Sequence, residues 1–145
     1  MSKLPDISTM DPDAWYDAVV ALGDALQEQI EAALSSHTDA QALYDALTAV
    51  FAPFVIDASD PTLADQLIVE RDGDKIWLGV PHGDYVDITY VPDHKIWWFV
   101  GDEVPPNTAP EELHRRVAAY VVGTTAWGDD ELARRRVEDA KRQHV

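Results

Sequence analysis

The sequence contains no cysteine. It therefore has no disulfide framework, no thiolate nucleophile and no thiolate metal ligand, which removes several reaction classes together. Bases are scarce: 11 Lys and Arg stand against 27 Asp and Glu, a formal net charge of -16. Neutralising phosphates takes a basic patch, and a field of this sign repels polyanions on approach, so nucleic acid and anionic membrane surfaces are excluded as direct partners. The seven glycines read as turn residues, and no Gly-rich phosphate loop, dinucleotide fingerprint, GxSxG elbow or HExxH motif is present. No apolar run approaches the roughly 20 residues of a membrane-spanning helix. Met1 to Asp6 carries one lysine with no apolar stretch behind it, unlike a secretion signal. The expectation is a cytoplasmic protein.

What is present fits a single domain. A chain of 145 residues, 46% apolar and 26% charged, buries a core without covalent staples. Residues 1–145 are read as one acidic domain, with 1–10 and 141–145 expected to fray, and without internal repeats or low-complexity segments. The charge is uneven. Lys3 is the one base among residues 1–70, against 13 acids, whereas residues 131–145 hold five bases and three acids.

Asp11-Pro12-Asp13 spells a helix start: an Asp cap, Pro at the first helical position and an acid in the first turn. Trp15, Val19, Leu22, Leu26, Ile30 and Leu34 then recur at steps of three and four, predicting an amphipathic helix to about Ser35. Thr38-Asp39-Ala40-Gln41 reads as a capping box before Leu43, Tyr44, Leu47, Val50 and Phe51, with Pro53 ending a second helix. The two form an αα-hairpin. The stretch from Phe54 to Asp65 carries no clear period.

The period then changes to two. Strands at 67–71 and 75–80 flank the hairpin signal Asp72-Gly73, and strands at 85–91 and 95–100 flank Pro92-Asp93-His94. This predicts a four-stranded antiparallel meander. Beyond the loop at Pro105-Pro106, Thr108-Ala109-Pro110-Glu111 resembles a second capping box, opening a helix with Leu113, Val117, Tyr120 and Val121 inward and Gly123 at its end. A last helix starts near Gly128-Asp129-Asp130-Glu131 with acids first and bases last, as the helix dipole prefers, and holds few apolar residues beyond Leu132 and Val137. The fold class expected is α+β: N-terminal αα-hairpin, antiparallel meander, one or two C-terminal helices.

Three features bear on function. On the first helix Asp13, Asp17, Asp24, Glu28 and Glu31 fall within about 60° of one another at roughly 100° per residue, forming an acidic stripe with no interleaved base. Like charges at i,i+4 cost about 0.2 to 0.5 kcal/mol per pair, so molar salt, the basic tail (Arg134, Arg135, Arg136, Lys141, Arg142) or a basic partner is expected to screen them. The bland alternative is a solvated helix face, and a sharper one is mimicry of a phosphate backbone. In the meander, strand parity assigns Ile76, Leu78, Val80, Val86, Ile88, Tyr90, Ile96, Trp98 and Val100 to the core face. The opposite face then carries Trp77, Tyr85, Trp97 and Phe99 beside Lys75, Asp87 and Thr89. Either the terminal helices cover this second face, the blander reading, or it offers aromatic anchors to a partner. Finally, His82, Asp84, Asp93 and His94 lie in or beside turns of the meander, and two imidazoles with carboxylates suit a divalent metal.

The function expected from these features is a non-enzymatic, acidic protein-binding domain that inhibits, neutralises or chaperones a more basic protein, without a cofactor. The stripe supplies attraction, and Trp77, Tyr85, Trp97 and Phe99 supply anchors. A small metal-assisted hydrolase built on the turn His and Asp residues is the alternative, followed by a structural or assembly component. Asp exceeds Glu and Arg exceeds Lys, a bias that high-salt adaptation or GC-rich coding also produces. The sequence sets neither the partner nor the oligomeric state.

Overall fold

The structure, a computed structural model, describes residues 5–54, 67–80 and 84–143. Most of the stretch without a clear period, and His82, lie outside the described residues. Those described form the expected α+β fold: helices α1 (Pro12–Ser36) and α2 (Ala40–Phe51), strands β1 (Ile68–Asp72), β2 (Lys75–Gly79), β3 (Tyr85–Val91) and β4 (Ile96–Phe99), then helices α3 (Pro110–Gly123) and α4 (Asp130–Gln143).

Each helix begins where its sequence supplies a start signal, although two caps differ from expectation. Asp11 caps α1 by accepting the Ala14 N–H at 3.1 Å. At α2 the cap is Asp39, which accepts from Ala42 at 3.0 Å, so the box expected from Thr38 is displaced by one residue. Burial of Ala40, Leu43, Leu47 and Phe51 sets that helix register, and an Asp immediately before it serves as well as a Thr. At α3 the cap position is Ala109, without a side-chain bond, and Thr108 donates its hydroxyl to the Pro105 carbonyl instead. Pro110 at the first turn needs no partner for an N–H it lacks. Asp129 caps α4 through Leu132 N at 3.1 Å. Tyr120, expected inward, is exposed because it falls just outside the arc of α3 that buries Leu113, His114, Val117, Ala118, Val121 and Val122. On α4, Ala133 and Val137 face inward and Leu132 faces solvent.

Trp15 Nε1 donates to the Pro5 carbonyl at 3.1 Å, Ile7 and Met10 pack on the core, and Lys141 pairs with Asp13.

The sheet runs β1-β2-β3-β4, all antiparallel. Gly73, at φ 59°, starts the two-residue turn of the first hairpin, a conformation glycine adopts without steric cost. Ile76 faces Ile88 and Leu78 faces Val86, which fixes the core side. In the second hairpin Val91 faces Ile96 and Tyr90 faces Trp97. Directly opposed residues share a face, so Trp97 and Phe99 lie with Tyr90 and Ile88 on the core side, and Trp98 points to the other. The parity assigned to β4 from sequence is thereby reversed at Trp97, Trp98 and Phe99, whereas Ile96 at the start of the strand is fully buried as expected. Ile96 to Val100 is apolar at every position, so alternation carried no information there, and the four-residue turn 92–95 sets the register.

The described helices share one apolar cluster with Ile76, Leu78, Ile88 and Trp97 on this side. α2 packs on β1 and β2, α3 packs on β2 to β4, and α1 lies on α3 and touches β4, whereas α4 packs on α1. Among the described residues, α3 turns its buried row Val117, Ala118, Val121 and Val122 to this core, and α4 packs on α1 rather than across the second sheet face.

One buried imidazole ties the layers together. His114 on α3, 2% exposed, accepts the Trp97 backbone N–H at Nε2 (3.1 Å), and its Nδ1 lies 3.0 Å from Ser35 Oγ at the end of α1. Because Nε2 accepts, the proton sits on Nδ1 and is donated to Ser35. Trp97 in turn donates its indole N–H to the His37 carbonyl at 2.8 Å. Burial holds the His114 imidazolium below its usual value of 6.5, against a smaller opposing pull from Glu111. A folded-state value below the unfolded one gives stability that is complete above the unfolded value. It is lost as pH falls from there through the folded value, because the unfolded chain takes up the proton first. Urea unfolding from about pH 8 to about pH 5.5 is expected to show this loss, and His114→Gln is expected to flatten it. An unchanged slope in the variant would place the titration elsewhere.

Candidate functional site

The acidic stripe lies along the outer side of α1, the side opposite its buried row of Trp15, Val19, Leu26, Ile30 and Leu34. Asp13, Asp17, Asp24 and Glu28 are exposed and Glu31 is half-buried. α4 runs antiparallel to the start of α1 and meets the stripe at one point, where Lys141 Nζ reaches Asp13 Oδ1 at 2.8 Å. That contact holds the Lys141 ammonium above its ordinary value, through the hydrogen bond first and the charge second. Five further cations are spent locally. Arg134 pairs with Asp130, Arg135 with Glu131, Arg142 with Glu138 and Asp139, and Arg115 and Arg116 with Glu112. Arg134 also lies 5.5 Å from the centre of the Tyr16 ring, whose hydroxyl donates to Asp130. That donation, with Arg134 adding to it, holds the Asp130 carboxyl below its ordinary value; it also raises the Tyr16 phenol, against an opposing pull from Arg134. Among the described residues, no ion pair reaches Asp17, Asp24, Glu28 or Glu31. Most of the stripe is left unscreened from within.

The aromatic set divides. Trp97, 1% exposed, is in the core and is no surface anchor. Phe99 is half-buried on the helix side, edge-on to Tyr120 of α3 with ring centres 6.1 Å apart. Trp77 and Tyr85 lie on the second sheet face, stacked at 5.8 Å, and Tyr85 is 54% exposed. Trp98 joins them there, a residue assigned to the core from sequence. Asp87 stands between the indoles, directly opposite Trp77 on β2 and two positions along β3 from Thr89, the partner of Trp98. Trp77 Nε1, Asp87 Oδ1 and Trp98 Nε1 are all buried without a hydrogen-bond partner. Leaving such a group unsatisfied costs about 1–3 kcal/mol, so three on one face mark the place where the fold is least complete.

At the end of β4 this face opens into a shallow depression of about 490 Å³ lined by Tyr85, Asp87, Phe99, Val100, Asp102 and Tyr120. Of the five large apolar side chains exposed among the described residues, Tyr85, Val100 and Tyr120 all border it. From the sequence Val100 and Tyr120 were assigned to the core and Asp102 to a loop. The signal for this site is the halt of β4 at Phe99, which no periodicity announces.

No family model, curated protein or solved structure matches this chain. The reading of its surface therefore rests on the geometry alone.

That geometry separates the residues of the metal-assisted alternative. Asp84 precedes the first residue of β3 and Asp93-His94 follow its last, so the seven residues between set them on the order of 20 Å apart. They do not share one end of the sheet. Among the described residues no group of three or more His, Asp or Glu is gathered to hold a metal ion. Ser35 and His114 are not a nucleophile and its base either, since the shared proton runs from the ring to the hydroxyl and Nε2 is occupied by Trp97.

The division of the aromatics is open to a direct check. Trp97→Ala is expected to cost about 3–5 kcal/mol in denaturant unfolding, as for other buried tryptophans, and Tyr85→Ala to stay within about 0.5 kcal/mol of the parent. Equal costs would contradict the placement.

Proposed function

We propose that this chain is a non-enzymatic acidic domain that binds a more basic protein and thereby inhibits, neutralises or chaperones it. The observation that carries this reading is the state of the α1 stripe. Asp17, Asp24, Glu28 and Glu31 form no ion pair within the described residues, and six of the molecule's eleven bases pair with other acids or, once, with Asp13. Charges left without an internal counterpart on a rigid helix project a field of one sign. Such a field speeds encounter with a partner of opposite sign far more than it tightens the final complex. Tyr85 with Trp77 supplies aromatic area of the kind that anchors interfaces, and it lies on the second sheet face.

The test is the triple variant Asp17→Lys, Asp24→Lys, Glu28→Lys. Proteins captured by the parent chain and lost by the variant identify the basic partner, whose association is then followed by stopped flow across ionic strength. The association rate constant is expected to fall at least tenfold, on the order of the steering effect, with a flattened salt dependence. Equal association by parent and variant at every ionic strength would remove the stripe from the function.

A further inference from the structure

We propose that the depression at the end of β4 seats an arginine side chain of the basic protein. This inference rests on the reading of the chain as a binder of such a protein and names the group it grips. Three observations converge on it. The rim gathers three of the five large apolar side chains exposed among the described residues: Tyr85, Val100 and Tyr120 are 54%, 40% and 49% exposed, and Phe99 lines the same space. Two carboxylates border the same space, Asp87 and Asp102. They are brought together by the chain path, since Val100 N donates to the Asp87 carbonyl at 2.9 Å and the turn after Phe99 returns Asp102 N to the Phe99 carbonyl at 3.3 Å. No described base lines the depression. Lastly, the Asp87 carboxylate has a buried oxygen, Oδ1, that no group of the chain serves as donor.

These features define the occupant by its chemistry. It has an apolar stem to lie along Val100 and Phe99, a positive head to sit beside two acids, and several hydrogens to donate. Guanidinium meets all three demands, because it is planar, always charged, carries five donors and stacks on aromatic faces such as Tyr85 and Tyr120. An ammonium donates as a compact, strongly hydrated point charge and stacks less well, and an acidic or phosphorylated group is repelled by both carboxylates. A second copy of this chain brings a net charge of -16 to the same face.

The test uses the full ¹⁵N-labelled chain and a short acetylated and amidated peptide of glycine and arginine, with a control in which citrulline, of the same shape but uncharged, replaces each arginine. The arginine peptide is expected to shift the amides of Tyr85, Asp87, Asp102 and Tyr120, and the citrulline peptide is not. Asp87→Asn is expected to weaken that binding at least tenfold, and Asp102→Asn, at an exposed position that the fold does not need, to weaken it severalfold. A control variant at an exposed acid of neither surface, Asp45→Asn, is expected to leave it within about twofold, and the stripe variant Asp24→Asn, Glu28→Gln, Glu31→Gln reports binding at α1 instead. Shifts confined to α1, abolished by the stripe variant and indifferent to Asp87→Asn, would overturn the arginine seat and leave the basic-partner reading standing. Shifts at the depression that appear with protein concentration alone would give the site to a second copy and overturn the proposal. Equal shifts with the citrulline peptide would show that charge plays no part and overturn it as well.

Discussion

The outer edge of β4 is met by a side chain rather than by another strand. Its Trp97 N–H points away from β3, and His114 of α3 accepts it, while the other ring nitrogen donates to Ser35 of α1. An edge N–H left open invites pairing with another chain, and an imidazole that is protonated on both nitrogens has no lone pair to offer it. The neutral ring is thus the condition for closing the edge and for holding Trp97 under α1 and α3, in the register that the turn 92–95 sets. With Trp97 and Phe99 turned inward, Trp98 must turn outward.

That arrangement explains how the chain carries so much charge of one sign. The described helices share a single apolar cluster on one side of the sheet, from Trp15 and Ile30 of α1 through Leu43 and Leu47 of α2 to Val117 and Val121 of α3. Repulsion along α1 amounts to a few like-charge pairs at about 0.2 to 0.5 kcal/mol each, on the order of 1 kcal/mol together. A domain of ordinary stability, about 5–15 kcal/mol, tolerates this without an internal screen. The Lys141 to Asp13 contact relieves one end of the stripe and the remainder stays available to an external cation.

How much of this was legible in the sequence depends on whether a pattern or a distant contact decided the matter. The α1 and α2 helices were legible because long rows at steps of three and four admit no other structure. Both hairpins were legible from their turn residues. β4 was misread because Ile96, Trp97, Trp98, Phe99 and Val100 are apolar without alternation, so only the turn length distinguishes the faces. The path of α4 onto α1 rather than onto the sheet was hidden too, since Ala133 and Val137 are a small apolar row that fits either. The stripe residues were legible as a face, but that Asp17, Asp24, Glu28 and Glu31 form no ion pair among the described residues was not, because the arginines of α4 had acids available on their own helix as well as on α1. The bond from His114 to Trp97 joins a side chain to a backbone group 17 residues away, and no local pattern encodes it.

The central claim is that the fold stands on its core and its buried bonds, with its acids uncompensated by design of the chain rather than awaiting concentrated salt. A thermal melt followed by circular dichroism, from tens of millimolar to several molar sodium chloride, tests it most directly, because screening at molar salt shortens the Debye length to about 3 Å and removes the repulsion. The account expects a cooperative melt at the lowest salt and a rise of only a few degrees as salt is added, in keeping with about 1 kcal/mol of repulsion in a domain of this size. A chain that is unfolded at low salt and folds only in molar salt would contradict it, and would assign the acidity to the solvent instead of to a partner.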